Sequence, residues 1–388
     1  MEKVILLGTG FSAIPFFSIL SEDYEVFPLG GVKSDPLNFE KNYVNANYRN
    51  LDEVLYWTER IKPNYVVPSC NDSAYETGAL LASRFSYPGY SEMKECNILL
   101  NKWLFRNMLA DESYNPSFQG LVLLDKEQID FGPRVIAKPF RGHSGIGVRI
   151  FDLNKDSVIQ ELRNLEKTHF IENYVEGSLH SHSAFFHDCK IVADFFVDEF
   201  CGKVEFAVSE SNHPSCLSMQ TQIAIREITI EIARKLKIQS GLLHSQFLFD
   251  GRKVWIIESM RRCPGDFFGT LVEKSSGYEY YRNYMAPFLG KEVEPFKQTK
   301  PFETIVRQSI ISSVSGKLGT VKLRFSDDLI EEVEFFPFSS MNKHVPIGLS
   351  GKVGIAFLSV KSEKLSTELS KQAISEVTTV IGSSRDVE

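Results

Sequence analysis

The segment Lys138 to Gly147, KPFRGHSGIG, joins a lysine at the end of an apolar run to a loop holding Gly142, Gly145 and Gly147. Glycines let a backbone approach an anion closely, and successive N–H groups can be aimed at phosphate oxygens. The lysine adds a point charge. The segment is not a P-loop: it lacks G-x-x-x-x-G-K-S/T and leads into a second apolar run, VRIF, rather than a helix. Alone, it reads equally well as an ordinary glycine-rich hairpin. Lys138 lies within an apolar strand, where an unpaired lysine is costly, and this favours a function for it. Glu258, which follows Trp255-Ile256-Ile257, carries the same cost.

Further polar groups stand at the ends of apolar runs. Asn101-Lys102 opens a helix and supplies an upstream lysine; read as a surface residue, Lys102 would need no role. Phe170 to Gly177, FIENYVEG, is a strand ending in a Glu-rich connection. HSQF at 244–247 and IESMRRCPGD at 257–266 form facing strands. Arg262 is better offset from Glu258 than Arg261, which is left to solvent or a substrate carboxylate. His180 and His182 share one strand face, a spacing that metals use, but no third ligand is near in sequence and packing is the simpler role. His244 reads as packing rather than a base, Asp250 as a turn residue, and Cys263 as structural because no base accompanies it.

These groups must be positioned by alternating elements. Val4–Leu7, Tyr24–Leu29 and Tyr65–Pro68 are expected strands, with helices at Ser12–Leu20, Leu51–Ile61 and Ser73–Phe85, the pattern of a doubly wound βαβ domain. One helix is expected from Met93 to Ala110. Strands follow at Arg134–Pro139, Val148–Phe151 and Phe170–Val175, with β-rich sequence from His182 to Glu210. A helix spans Met219–Lys237, with Ile223, Ile228, Ile232 and Leu236 near helical spacing. Asp250-Gly251 turns a hairpin between Leu243–Phe249 and Val254–Glu258. Beyond Pro301 the expected strands are Val321–Phe325, Val333–Pro337 and Gly354–Val360, with a last helix from Leu365 to Thr379. The expected units are residues 1–92, 93–300 (with a glycine-loop lobe at 116–177) and 301–388, in an α/β chain with a C-terminal α+β module.

Composition bounds the partners. The 388 residues include 43 Lys+Arg and 50 Asp+Glu, a net charge of −7, with 43% apolar residues. This is a globular profile without the basic bias of a nucleic-acid binder. Six cysteines at irregular spacing, none in a C-x-x-C pair, fit a reducing, cytoplasmic setting. The apolar start reads as strand, turn and helix rather than a leader peptide, and no run of about 18 apolar residues marks a membrane span.

Taken in order, the segments resemble the ATP-grasp superfamily of carboxylate–amine ligases over roughly residues 1 to 290. PNYVVPSCNDSAYETGALLA is similar to the strand–loop–helix before the grasp, and YPGYSEMKECNILLNKWLFRNML to the entry into the first ATP-binding lobe. The resemblance implies an ATP-grasp fold behind a Rossmann-like N-terminal domain. It implies that Lys102 and Lys138 contact ATP phosphates beneath a mobile loop containing Gly142, His143, Ser144 and Gly145. It implies that backbone groups of Glu172, Asn173, Tyr174 and Val175 meet adenine, that Glu258 holds Mg²⁺ (or Mn²⁺), and that Arg262, with Lys138, stabilises an acyl phosphate. A small-molecule carboxylate and amine, the latter of an amino acid or amino sugar, are the implied partners, and homodimers are common in such families.

Three positions depart from the family pattern. Gln246 stands where an acidic metal ligand is usual, Met260 where Asn is usual, and Ser178 to His182 where a ribose-binding Glu is frequent. Asp266 is a replacement carboxylate to consider. Two alternatives to a ligase follow: an ATP-binding protein with little activity, or a nicotinamide-dependent enzyme suggested by Gly8, Gly10 and Ala13. The latter lacks the expected acidic residue, since the second strand ends Pro28-Leu-Gly-Gly31.

Overall fold

The computed structural model describes the chain apart from residues 32–34, 122–128, 130, 131, 156, 203, 300, 313, 325–329, 340, 341, 361–375 and 383–388. The first unit is a parallel sheet of β1 (Lys3–Leu7), β2 (Glu25–Gly30), β3 (Val44–Asn45) and β4 (Tyr65–Pro68), in the order β3-β2-β1-β4. Val4 to Leu7 are fully buried, as an unbroken apolar run in a sheet covered on both faces requires. Helices α1 (Ile14–Asp23), α2 (Leu51–Ile61) and α3 (Asp72–Phe85) supply the cover. Asn71 caps α3 by accepting from Ala74 N at 2.8 Å. Gly8-Thr9-Gly10 and Ser69–Asp72 therefore share the carboxyl edge of the sheet, where open parallel sheets bind ligands.

The single helix expected from Met93 to Ala110 is two: α4 (Met93–Leu100) and α5 (Lys102–Met108). Asn101 between them is extended, and its side chain accepts from Trp103 N at 3.0 Å and Leu104 N at 3.2 Å. A cap in mid-pattern restarts the helix in a new direction. Lys102 thereby becomes the first residue of α5, and its N–H donates to the Phe140 carbonyl at 2.8 Å.

The glycine-loop lobe is an antiparallel sheet, β5-β8-β6-β7, of β5 (Phe118–Gly120), β6 (Arg134–Pro139), β7 (Arg149–Asp152) and β8 (His169–Asn173). It packs on α6 (Val158–Arg163) through Val135, Ala137, Phe151, Leu162 and Ile171.

Eight strands build the largest sheet, all antiparallel, in the order β13-β12-β9-β10-β11-β14-β18-β16. They are β9 (Ser178–His187), β10 (Lys190–Cys201), β11 (Val208–His213), β12 (Gly241–Phe249), β13 (Val254–Met260), β14 (Ile305–Ile311), β16 (Ile330–Pro337) and β18 (Lys352–Val360). Successive residues of β9 face opposite sides. Phe186 packs with Ile225 and Ile232 of α7 (Met219–Lys235), while Phe185 stacks edge-on to Tyr280 of α9 (Tyr280–Met285), beside α8 (Phe268–Ser276). Sequence reasoning missed β14, which pairs with β11 and so carries the sheet into the C-terminal region.

A third small sheet, β17-β15-β19, holds β15 (Gly316–Arg324), β17 (His344–Val345) and β19 (Glu376–Gly382). The helix expected from Leu365 to Thr379 lies mostly outside the described residues. From Glu376 the chain is a strand paired with β15, so the expected helical end is corrected. EVTTVIG is rich in β-branched residues, which lose side-chain freedom in a helix and favour a sheet partner. No described helix is long and apolar enough to cross a membrane.

Candidate functional site

A cleft of about 1050 Å³ opens between the glycine-loop lobe and the large sheet. Lys102, Lys138, Gly142, His143, Ser144, Gly145, Glu172, Asn173, Tyr174, Val175, Gln246 and Glu258 all line it. Of the sequence-predicted site residues, only Arg262 is not part of that lining. The glycine loop joins β6 to β7 and crosses to the other wall. Gly145 has φ +70°, and a Cβ there would stand 2.6 Å from Phe206 Cβ in the β10–β11 connection. The left-handed backbone and the close approach each require glycine.

Lys138 is buried but paired: its Nζ lies 2.6 Å from Glu172 Oε2. Glu172 also receives the Arg106 guanidinium, Nε to Oε1 at 2.6 Å and Nη2 to Oε2 at 3.3 Å. Burial pushes the Glu172 carboxyl up, but the Arg106 and Lys138 charges outweigh it and hold the group below its ordinary value. Glu172 thus enters through its side chain as well as its place in the hinge. The N–H groups of Asn173 and Tyr174 bond the Ser117 and Arg134 carbonyls at 2.8 and 3.3 Å. Tyr174 also lies beneath the Arg134 guanidinium at 4.5 Å.

Lys102 Nζ lies 3.0 Å from Glu258 Oε2 and donates to the Gly142 carbonyl at 2.7 Å. One ammonium thus ties the loop to β13. Burial raises the Glu258 carboxyl, and Lys102 and Arg262 more than offset this, leaving it below the ordinary range.

Gln246 and Glu258 are direct cross-strand partners on β12 and β13. The Gln246 amide donates through Nε2 to Glu199 Oε2 at 2.6 Å. The amide nitrogen is thereby committed, which leaves the oxygen as its acceptor, and the cross-strand Glu258 has the Lys102 ammonium as ion partner. A carboxylate and an amide at paired cross-strand positions, the carboxylate already holding an ammonium, are oxygen-donor types that suit Mg²⁺ or Mn²⁺. Among the described residues no group of three or more His, Cys, Asp or Glu side chains gathers for a metal, so phosphate oxygens and water would complete such a shell.

Arg262 reaches the N-terminal sheet edge, where its Nε bonds Asp72 Oδ1 at the start of α3. Arg261 does not face solvent: it is buried and donates to the Gly89 carbonyl at 3.2 Å. The Asp266 carboxylate pairs with Lys352 at 2.5 Å, its N–H bonds Ser12 Oγ at 3.0 Å, and its carbonyl accepts from Arg307 Nη1 at 2.9 Å. Loop 261–267, just beyond Glu258, is therefore where the N-terminal unit meets β14.

Both ring nitrogens of each paired histidine are engaged. His180 bonds Asp198 at 2.7 Å and Ser178 at 2.6 Å; His182 bonds Thr229 at 2.9 Å and Asp194 at 3.0 Å. His244 contacts Ser183 at 2.8 Å, and burial pushes its pKa down to about 3, which suits packing rather than proton uptake. Cys263 is fully buried and its thiol is raised by burial. Asp250 accepts from Arg252 N, Lys253 N and Trp255 Nε1, as a hairpin turn residue does.

No protein-family profile matches the sequence, and a search of the curated proteins gives no match. Solved structures do match. Phosphoribosylglycinamide synthetase from Anaerococcus prevotii aligns over 98% of this chain and 100% of its own, at 15% identity and a TM-score of 0.78. L-amino acid ligase from Bacillus licheniformis aligns over 99% of both chains, at 16% identity and a TM-score of 0.76. The biotin carboxylase domain of the Hydrogenobacter thermophilus 2-oxoglutarate carboxylase, a dimer solved with MgADP, ADP and bicarbonate, covers 97% of this chain and 91% of its own, at 14% identity and a TM-score of 0.74.

The chain has the ATP-grasp fold. The glycine-loop lobe and the large sheet both line the cleft. Sequence reasoning missed Arg106, Glu199 and Arg307 in this ATP-grasp framework. Arg106 was detectable, since it lies one helical turn after Lys102 and shares its face. Glu199 and Arg307 sit on strands whose neighbours are set by long-range pairing, and carried only the weaker signal of a charge within an apolar run.

Proposed function

We propose that this protein is an ATP-dependent ligase that joins a carboxylate to an amine, releasing ADP and phosphate. The observation that carries this reading is the convergence of Lys102, Lys138 and Glu258 on one cleft beneath the glycine loop. The loop that follows Glu258 then reaches the edge of the N-terminal sheet through Arg262 and Asp72.

In this reading the hinge at 172–175 lies against adenine, and the triphosphate runs toward Lys102 and Lys138. A triphosphate carries about four negative charges, which must be neutralised and its reacting oxygens aligned. The two lysines supply fixed positive charge where it is needed. Glu258 and Gln246 would hold Mg²⁺, which neutralises phosphate charge when bound. Glycine-loop closure onto the Phe206 wall orients the γ-phosphate and excludes water, and orientation of this kind can supply ~7–11 kcal/mol of a barrier. A substrate carboxylate oxygen attacks the γ-phosphorus and ADP leaves. The amine then attacks the acyl carbon, phosphate departs, and the amine proton passes to solvent or phosphate. Arg262, which follows Glu258 on the chain and reaches Asp72 of the N-terminal unit 1–92, stabilises the acyl phosphate. The proposed C-terminal unit 301–388 contributes Arg307 and Lys352 to the wall around Asp266. Small-molecule acceptors such as an amino acid or amino sugar suit this enclosed edge.

Gln246 motivates a second reading, an ATP-binding protein with little ligase activity, because an amide brings no charge to a metal. Incubation with ATP, Mg²⁺, hydroxylamine and a panel of carboxylates separates the two. Hydroxamate together with ADP supports the ligase. ATP binding without carboxylate-stimulated ADP release, across the panel, defeats it in favour of the second reading.

A further inference from the structure

We propose that Glu199 is a positioning residue that makes the neutral side chain of Gln246 serve as a metal ligand. The proposal rests on the metal–ATP reading of the cleft and concerns a residue outside the proposed ligand pair. Glu199 lies on β10 and lines the cleft. On the strand register, Gln246 faces Glu258 on one side and Ser181 on the other, and Ser181 faces Val197. Glu199 is two residues beyond Val197, so it shares the sheet face of Glu258, Gln246 and Ser181.

The carboxylate is only 5% exposed. Its hydrogen bonds come from neutral groups, Gln246 Nε2 at 2.6 Å and Ser181 Oγ at 3.1 Å. Among the described residues no ammonium or guanidinium lies within ion-pair distance of it. Burial raises its carboxyl above the ordinary range, and Arg307 only partly offsets this through space, while that guanidinium bonds Ser211 and the Asp266 carbonyl. A buried carboxylate without an ion partner is costly, so its place needs a reason.

The asymmetry of the amide supplies one. A carboxylate only accepts, so Gln246 must present its NH₂ to Glu199 and turn its oxygen away. A half-turn about the last side-chain bond has almost the same shape, and would aim the NH₂ at a cation instead of the oxygen. Glu199 selects between the two. It also draws on the amide N–H, which leaves more negative charge on the oxygen. Residues that orient a ligand in this way typically change metal affinity 10–100-fold when replaced.

The test uses Mn²⁺ as the probe, with its affinity for the full-length protein–ATP complex read by electron paramagnetic resonance. Glu199→Gln is expected to weaken Mn²⁺ about 10–100-fold, with metal-free ATP affinity unchanged. The double variant Glu199→Gln/Gln246→Glu moves the carboxylate onto the ligand position, and is expected to bind Mn²⁺ more tightly than Glu199→Gln alone. Wild-type Mn²⁺ affinity in Glu199→Gln overturns the proposal, and so does a double variant no tighter than the single one. If Glu199→Gln does not fold, Glu199→Asp keeps the charge but withdraws it from the amide; a fall in Mn²⁺ affinity supports the proposal and wild-type affinity overturns it. Glu258→Gln separates the two levels: unaltered Mn²⁺ affinity in that variant defeats the metal reading of the cleft itself.

Discussion

Lys102 and Glu258 form a 3.0 Å ion pair across the floor of the cleft, so the charge proposed to bind phosphate and the charge proposed to bind metal neutralise each other. In the proposed function, nucleotide and metal part them together. Glu258→Gln is therefore expected to raise ATP affinity several-fold in the presence of a chelator, because Lys102 is released to the phosphates. The same variant should lose the gain in affinity that Mg²⁺ gives the wild type. Lys102→Ala should weaken Mg–ATP about 10-fold, the scale of one charge-assisted hydrogen bond. Calorimetric titrations with and without Mg²⁺ check both; a Glu258→Gln protein with unchanged affinities in both conditions would refute the coupling.

Glu172 and Lys138 touch at 2.6 Å, yet their replacement should read differently. Glu172→Ala leaves Arg106 and Lys138 as two buried like charges, which costs about 3–5 kcal/mol. The melting midpoint should fall by roughly 5 °C. Lys138→Ala keeps the two-point Arg106–Glu172 pair, so the midpoint should move little while ATP affinity drops about 10–100-fold. Unchanged ATP affinity in Lys138→Ala would remove Lys138 from the phosphate site.

Gly145→Ala places a methyl group 2.6 Å from Phe206 Cβ and on a backbone of φ +70°. A strain of about 1–3 kcal/mol is expected at such a position. The glycine loop should then close less readily, lowering kcat of the proposed ligase about 10-fold. Limited proteolysis offers a readout independent of turnover: ATP should protect the loop of the wild type from cleavage and protect the variant less.

His213 and His244 are fully enclosed, and burial lowers each from an ordinary value of 6.5 to about 3. Both are neutral in the fold, whereas the unfolded chain takes up protons below 6.5. More protons bind the unfolded state in that window, so stability rises with pH there. Their contribution is complete above pH 6.5 and is lost progressively as pH falls toward 3. At pH 5 the loss is on the order of 1–2 kcal/mol for each histidine. Urea unfolding at pH 7.5 and pH 5 measures it. In His244→Asn the pH dependence should be shallower than in the wild type, and an identical slope would contradict the assignment.

Much of the cleft was legible in the residue order because its parts are local. KPFRGHSGIG is one strand and one loop, and Asp250-Gly251 is one turn. Leu51–Ile61 and Tyr65–Pro68 match their sequence expectation residue for residue, since periodicity and short apolar runs act within a few neighbours. The helix from Met93 was overextended because Asn101 was read as a start signal without also ending the helix before it. The strand at 305–311 went unread because its polar residues, Arg307, Gln308 and Ser309, find partners only by pairing with β11 and β18.

By itself the sequence determined the two lysines, the glycine loop, Glu258 and the doubly wound first unit, all of which depend on spacing along the chain. Only the tertiary structure decided who neutralises whom: Glu172 between Arg106 and Lys138, Glu258 against Lys102, Arg262 on Asp72, and Glu199 behind Gln246. The physical reason is range. Backbone propensity and hydrophobic period act over one or two turns, whereas a buried charge is satisfied by whichever strand the sheet order brings beside it.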